Sequence, residues 1–270
     1  MYCPICSNNK FEQSIVIKQR LIDEWELNPS EVDYINKQQG FCCTKCSNNL
    51  RSMTLAHGIM QYFSFIGNFQ QITNSKIGRY KKILEINEAG NLHSILNQFK
   101  NYKFAEYPEI DIQNLPYSDN TFDIIVHSDT LEHVKYTSSA MEECKRVLKN
   151  DGVLFYTIPI VNGRMTKRRD NLSKSYHGCQ DEDQGDDYLV WTEYGADFWV
   201  EVINAGYMEI RIYSLGDLSS IAISAKKVLL KKYKPNKLYF FPIPLKQLIR
   251  KIRKKIKTIW NIQEKGLSLN

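Results

Sequence analysis

The sequence predicts an α/β protein built on a parallel sheet, and the stretch 82–161 supplies the observations that predict it. Apolar runs of strand length stand at 83–86, 122–126 and 153–158. Helix-length segments separate them, the alternation expected of βαβ units. Polar and small residues gather just beyond the runs, at the strand ends where an open α/β sheet binds its ligand.

Glu85 lies at the end of the first run and is followed by Asn87, Ala89 and Gly90. A turn of such small residues lets backbone approach a ligand, with the amides of the next helix behind it. A second strand is expected at 102–105, and Glu106 follows it at a distance that suits a carboxylate bonding ribose hydroxyls. Asp111 and Ile112 then precede Leu115-Pro116, a turn before the next strand. Taken alone, each acid is more often a helix cap or solvated loop residue. Their order along one sheet is what favours a ligand.

With those residues in place, the segment resembles the catalytic domain of class I S-adenosylmethionine-dependent methyltransferases. The matching motifs are Asp111-Ile-Gln-Asn-Leu-Pro-Tyr117, Thr121-Phe-Asp123, Leu131-Glu-His-Val134 and Arg146-Val-Leu-Lys-Asn-Asp-Gly152, and the likeness extends over roughly 80–226. It implies a Rossmann-like, seven-stranded sheet with helices on both faces and the cofactor across the first two strand ends. Carried over by position, Glu85 and the turn through Asn87 and Gly90 would lie along the methionine and ribose part of the cofactor. Glu106 would bond the ribose, Asp111 and Ile112 would hold adenine, and Ser128 and Asp129 would sit near the sulfonium. The family's usual Gly-x-Gly-x-Gly turn is replaced by Asn87, Ala89 and Asn91, with Gly90 between them.

The amino-terminal 1–71 carries two C-x2-C pairs, Cys3/Cys6 and Cys43/Cys46. Thiolates at that spacing each pinch a metal from a tight turn, and two pairs complete a closed, structural four-cysteine zinc site; ordinary thiols are the alternative. Cys42, beside Cys43, leaves the ligand choice open. Between the pairs, 19–38 reads as helical, with Asn28-Pro-Ser-Glu31 marking a fresh helix start. The arrangement resembles methyltransferases with an amino-terminal zinc-ribbon-like module, commonly encoded beside sugar and cell-envelope polysaccharide enzymes, with Arg51 at that module's arginine and Ser47 replacing its glycine. Arg51 is either a solvated helix residue or a contact between module and catalytic domain.

The catalytic domain is expected over 78–226, with a basic tail over 227–270. Residues 226–270 hold a charge of +13, and the chain total of +6 leaves −7 for 1–225. Overall basicity therefore does not argue for a nucleic-acid-binding enzyme surface. Leu245, Leu248, Ile249, Ile252, Ile256, Ile259 and Trp260 share one face of a cationic helix. Such a helix suits an anionic membrane interface, with docking on an acidic protein surface as the alternative. No apolar run is long enough to span a bilayer, Met1-Tyr-Cys-Pro4 lacks the apolar core of a signal peptide, and the cysteine usage suits the cytosol.

An insertion at 162–188 joins basic residues, Tyr176 and His177, and an acidic run. Loops of that length work as lids or binding loops, so Arg164, Arg168 and Tyr176 are candidates for contact with a phosphate or carboxylate on the acceptor. His133 and His177 are candidate general bases, because imidazole titrates near neutrality, and Glu193 is a weaker one. The function the resemblance implies is methyl transfer from S-adenosylmethionine to an acceptor oxygen or nitrogen, and the resemblance together with the basic loop points to a sugar, sugar nucleotide or envelope glycan as acceptor. The competing class is a non-catalytic scaffold that keeps the fold.

Overall fold

Side chains alternate along a strand, and that alternation divides the apolar runs between the two faces of one sheet. The computed structural model describes residues 1–177, 185–216 and 220–228. Its amino-terminal part runs β1 (Phe11–Gln13), α1 (Gln19–Glu24), α2 (Pro29–Gly40), β2 (Phe41–Cys43), α3 (Leu50–Tyr62), α4 (Phe69–Ile72) and α5 (Lys76–Tyr80). The sheet region follows with β3 (Lys82–Ile86), α6 (His93–Leu96), β4 (Asn101–Ala105), β5 (Phe122–Ser128), α7 (Thr137–Val147) and β6 (Leu148–Thr157). A small pair, β7 (Lys167–Arg168) and β8 (Thr192–Glu193), precedes α8 (Trp199–Asn204), β9 (Glu209–Ser214) and β10 (Ile221–Lys226).

The main sheet has the order β4-β3-β5-β6-β10-β9. Its first four strands are parallel, and β10 and β9 close it antiparallel. Leu84, Ile86, Ile125 and Leu154 pack on one face against Ala140, Met141, Cys144 and Val147 of α7. Ile83, Ile124, Val126, Val153 and Phe155 pack on the other against Met53, Leu55, Ala56, Ile59 and Met60 of α3. Helix α3 thus forms part of the sheet's covering layer. Gly58 allows its close approach, since a Cβ there would come 2.8 Å from the Tyr213 ring on β9.

The sheet holds six strands among the described residues, against the seven expected. The segment between β4 and β5 is held in turns instead. Asp111 Oδ1 accepts from the Gln113 backbone N–H at 2.8 Å, an Asx turn. The Arg146 guanidinium donates to the carbonyls of Leu115 and Tyr117 at 2.9 and 2.7 Å, occupying backbone acceptors that an added strand would need. Two of the recognised motifs therefore meet as a structural brace. Asp123 makes another, accepting from the Lys82 backbone at 2.9 Å and from Lys149 Nζ at 2.7 Å, which ties the starting ends of β3, β5 and β6 together.

Asn28 starts α2 as expected. Its side chain accepts from Ser30 and Glu31 N–H groups while Glu31 Oε2 accepts from the Asn28 N–H, a reciprocal capping box. A third apolar cluster joins Trp25 and Leu27 with Val161 and Val190, packing the amino-terminal helices on the start and end of the insertion. No helix among the described residues is long and apolar enough to cross a membrane. The expected cationic helix lies outside the described residues, as does most of the acidic run.

Candidate active site

Strand order fixes where a ligand would sit. From β3 the chain steps outward to β4 and then crosses back to β5 on the other side, so the carboxyl ends of β3 and β5 flank the switch point of the sheet. Asn87 bridges the loops that meet there. It occupies the left-handed region at φ 51°, its Oδ1 accepts from the Tyr107 N–H at 3.0 Å, and its own N–H donates to Ala105 O at 2.8 Å. Asparagine tolerates this backbone better than other side-chain-bearing residues, so the turn survives its shortage of glycine. Gly90, at φ 56°, keeps the turn low, and a Cβ there would lie 3.3 Å from Ser52 Oγ of α3. Opposite it, Ser128 Oγ lies 2.7 Å from Thr157 Oγ1, and Asp129 follows at φ 49°.

Of Glu85, Glu106 and Asp111, which the sequence places together along one ligand, Glu85 is turned inward. Glu85 is wholly buried, at 0% exposure. One of its oxygens accepts from the Ala89 N–H at 2.9 Å, and the other meets Tyr102 Oη at 2.5 Å and His93 Nδ1 at 3.0 Å. The tyrosine from β4 and the histidine from α6 satisfy the carboxylate, so it braces the turn from beneath. The same burial and bond raise the Tyr102 hydroxyl's pKa. Glu106 remains exposed at the end of β4, Asp111 is engaged with Gln113, and Ile112 is buried. A hollow of about 420 Å³ lies beside the cysteines, lined by Cys46, Ser47, Asn48, Gln70, Asn91 and Ser94 among others; Glu106, Asp111 and Asp129 do not line it.

Arg51, at the start of α3 and only 2% exposed, pairs with Asp129 and donates to Gln38 Oε1 at 3.2 Å. The amino-terminal segment thus reaches the edge of the candidate site. Of the two readings of Arg51, the contact is the one observed.

The insertion's arginines are placed differently from the expectation. Arg164 grips both oxygens of Glu31 at 2.6 Å and the carbonyls of Trp25 and Glu26 at 2.6 Å. Arg168 donates to Asp170, Thr192 and Lys135 O. Buried Arg169 pairs with Glu193 and Glu24, which engages Glu193 in an ion pair. Arg164 and Arg169 clasp the insertion to the amino-terminal helices because Glu31 and Glu24 sit opposite them, whereas Arg168 ties it to β8 and the loop at Lys135. Tyr176 forms a backbone bridge with Leu189.

His133 and His177 do come together, with rings edge to face at 4.8 Å. Between them lies Glu132, which the sequence reading left unremarked although it sits inside the Leu131–Val134 motif. Burial, then the neighbouring Asp129 charge, raise the Glu132 carboxyl well above the usual range. Burial lowers the His133 pKa, and burial with the His133 and Arg51 charges pushes His177 down to about 3, so both imidazoles are neutral at pH 7.

The four cysteines converge at the other edge of the site. Cys3 Sγ lies 3.7 Å from Cys46 Sγ, and Cys6 Sγ lies 3.6 Å from Cys43 Sγ. Tetrahedral zinc–thiolate bonds require sulfur separations of about 3.8 Å. The two turns are alike: Ser7 donates to Cys3 O at 2.9 Å and Ser47 to Cys43 O at 2.8 Å, each serine in the left-handed region. Burial pushes the Cys43 thiol up, but the Asn8 amide and the Cys46 and Lys45 backbone groups outweigh it and bring it down to about 6. The cluster is therefore compatible with zinc. Cys42, engaged with Gln39 O at 3.8 Å, stands outside it.

Residues 75–156 match the protein family described as "Methyltransferase domain". Over that stretch the chain is similar to this family. The family implies S-adenosylmethionine as cofactor. An uncharacterized protein from Methanocaldococcus jannaschii is 35% identical over 83 residues, covering 30% of this chain. The chain spans 36% of that relative's length. Among solved structures, a possible histamine N-methyltransferase from Thermotoga maritima is 12% identical, with a TM-score of 0.37, over 77% of this chain and 97% of its own. The methyltransferase domain of a citrinin polyketide synthase is 12% identical, with a TM-score of 0.40, over 78% of this chain and 68% of its own.

Proposed function

We propose that the protein transfers a methyl group from S-adenosylmethionine to an oxygen or nitrogen of a sugar, sugar nucleotide or envelope glycan intermediate. The observation that carries the reading is the turn at Asn87–Gly90 at the end of β3, beside Ser128 and Asp129 at the end of the neighbouring β5, at the sheet's switch point. The cofactor, when bound, supplies an electrophilic methyl group. In this reading Asn87 and Gly90 line its methionine and ribose part, and exposed Glu106 bonds the ribose hydroxyls. The chain at Asp111 and Ile112 lies along the adenine, and Ser128 with Asp129 faces the positive sulfonium. Fixing cofactor and acceptor in line is the main contribution asked of these residues. Zinc in the four-cysteine cluster holds the amino-terminal turns against α3.

The scaffold alternative draws on Glu85, which serves the turn rather than an open site. Mass spectrometry of products after incubation with isotope-labelled S-adenosylmethionine and candidate glycans separates the two. A labelled, methylated glycan supports the enzyme reading, and turnover confined to non-glycan acceptors removes its substrate class. We also propose that the carboxy-terminal segment engages an anionic membrane surface at the cytosolic face, with nucleic acid not a partner. Liposome flotation of the full chain and of a chain ending at residue 239 tests this, and equal flotation overturns it.

A further inference from the structure

We infer that Glu132, His133 and His177 form a second metal site, for a first-row divalent transition cation, separate from the four-cysteine cluster. Glu132 is at 0% exposure, and neither of its carboxylate oxygens has a hydrogen-bond partner among the described residues. An unpaired carboxylate in the interior costs several kcal/mol, and a cation bound to it removes that cost. Two imidazole nitrogens face it: His133 Nε2 and His177 Nε2 each lie 3.7 Å from Glu132 Oε1. The donor atoms of the three residues all fall within 4.8 Å of one another. Ligands bound at about 2.1 Å to one cation stand roughly 3.0–3.4 Å apart, so the two 3.7 Å pairs close with a shift of a few tenths of an ångström and a pair at 4.8 Å with about 1.4 Å, within reach of a side-chain rotation.

The ring orientation is already fixed. His133 Nδ1 lies 3.2 Å from Leu189 O, the arrangement that commits the proton to Nδ1 and leaves Nε2 free as a ligand. His177 packs near Trp25, with ring centroids 6.0 Å apart, which holds it from the opposite side. Two neutral imidazoles and one carboxylate suit zinc, manganese, iron, cobalt or nickel, whereas four thiolates favour zinc. The site follows Asp129 closely in the chain, at the end of β5, so a cation there lies beside the proposed acceptor face. Its occupancy does not depend on methyl transfer taking place.

The test uses the full chain with its cysteine cluster filled. Manganese chloride is titrated in while free ion is followed by electron paramagnetic resonance, because manganese prefers nitrogen and oxygen donors to thiolates. Wild type is expected to bind one equivalent per chain, and both Glu132→Gln and His177→Ala to lose at least tenfold in affinity with the thiolate-bound zinc unchanged by elemental analysis. Glu132→Gln preserves volume, so it reports on the site if His177→Ala folds poorly. Manganese should also raise the Tm of wild type and not of Glu132→Gln. No bound manganese in wild type, or equal binding by wild type and Glu132→Gln, overturns the inference.

Discussion

Replacing Arg164 with methionine removes the strongest clasp between the insertion and α2 while keeping most of the side chain's length. Four hydrogen bonds of 2.6 Å disappear, two of them to Glu31. The Glu31 side chain is 7% exposed and Arg164 30% exposed, so the substitution strands a nearly buried carboxylate that, among the described residues, keeps its bond from the Asn28 N–H alone. Breaking a fully buried pair costs about 3–5 kcal/mol, and discounting for the arginine's partial exposure leaves about 2–4 kcal/mol. For a unit of this size each kcal/mol moves Tm by about 2–4 °C, so differential scanning calorimetry at pH 7 should show a fall of about 4–16 °C. The Arg164 guanidinium also holds the Glu31 carboxyl below its ordinary range. Its contribution is present above the unfolded carboxyl's pKa near 4.5 and is lost as pH falls through the lower folded value. The gap between wild type and variant should therefore close in acid. Glu31→Gln combined with Arg164→Met should cost at least about 1 kcal/mol less than the sum of the two single changes. A single variant within about 0.5 kcal/mol of wild type, or a strictly additive pair, refutes the clasp.

Other parts of the structure make equally definite demands. Gly58→Val drives a side chain into the Tyr213 ring, which a Cβ alone would approach to 2.8 Å; a loss of about 1–3 kcal/mol in urea unfolding is expected, and no loss would mean α3 is not seated on β9. Asn87→Val places a β-branched residue at φ 51° and deletes the bond to the Tyr107 N–H, costing about 2–3 kcal/mol, while Asn87→Gly should cost no more than about 1 kcal/mol. Equal losses from the two would show that backbone strain is not the deciding factor. Elemental analysis should find one zinc on the thiolates, which Cys43→Ser releases together with a fall in Tm, and a chelator that strips zinc without any change in Tm would contradict its structural role.

The sheet was legible because its signal is local. Ile83, Ile124 and Val153 are buried on one face and Leu84, Ile125 and Leu154 on the other, and each lies in a run whose length and apolarity are plain from a few neighbours. The capping box at Asn28 and the two cysteine turns were readable for the same reason. What escaped depended on distant partners. Glu85 turns inward because Tyr102 and His93 reach it, and nothing beside it in the chain announces that pairing. Arg164 and Arg169 find Glu31 and Glu24 across more than a hundred residues, so a basic loop that read as an acceptor site is a clasp. Helix α3 is apolar around most of its circumference, which signals burial without naming the sheet that buries it. Glu132 was hidden by its motif, since its lack of partners is a property of the folded interior alone.

Isothermal titration of the full chain with S-adenosylmethionine, beside the Glu106→Ala variant, tests most directly whether the ends of β3, β4 and β5 hold the cofactor. One site per chain is expected in wild type. Loss of charge-assisted bonds to the ribose, worth about 1.5–3 kcal/mol, should weaken binding roughly ten- to a hundredfold in the variant without changing its Tm. Absence of binding heat in wild type across temperatures, or the same affinity in both proteins, would contradict the assignment of this edge.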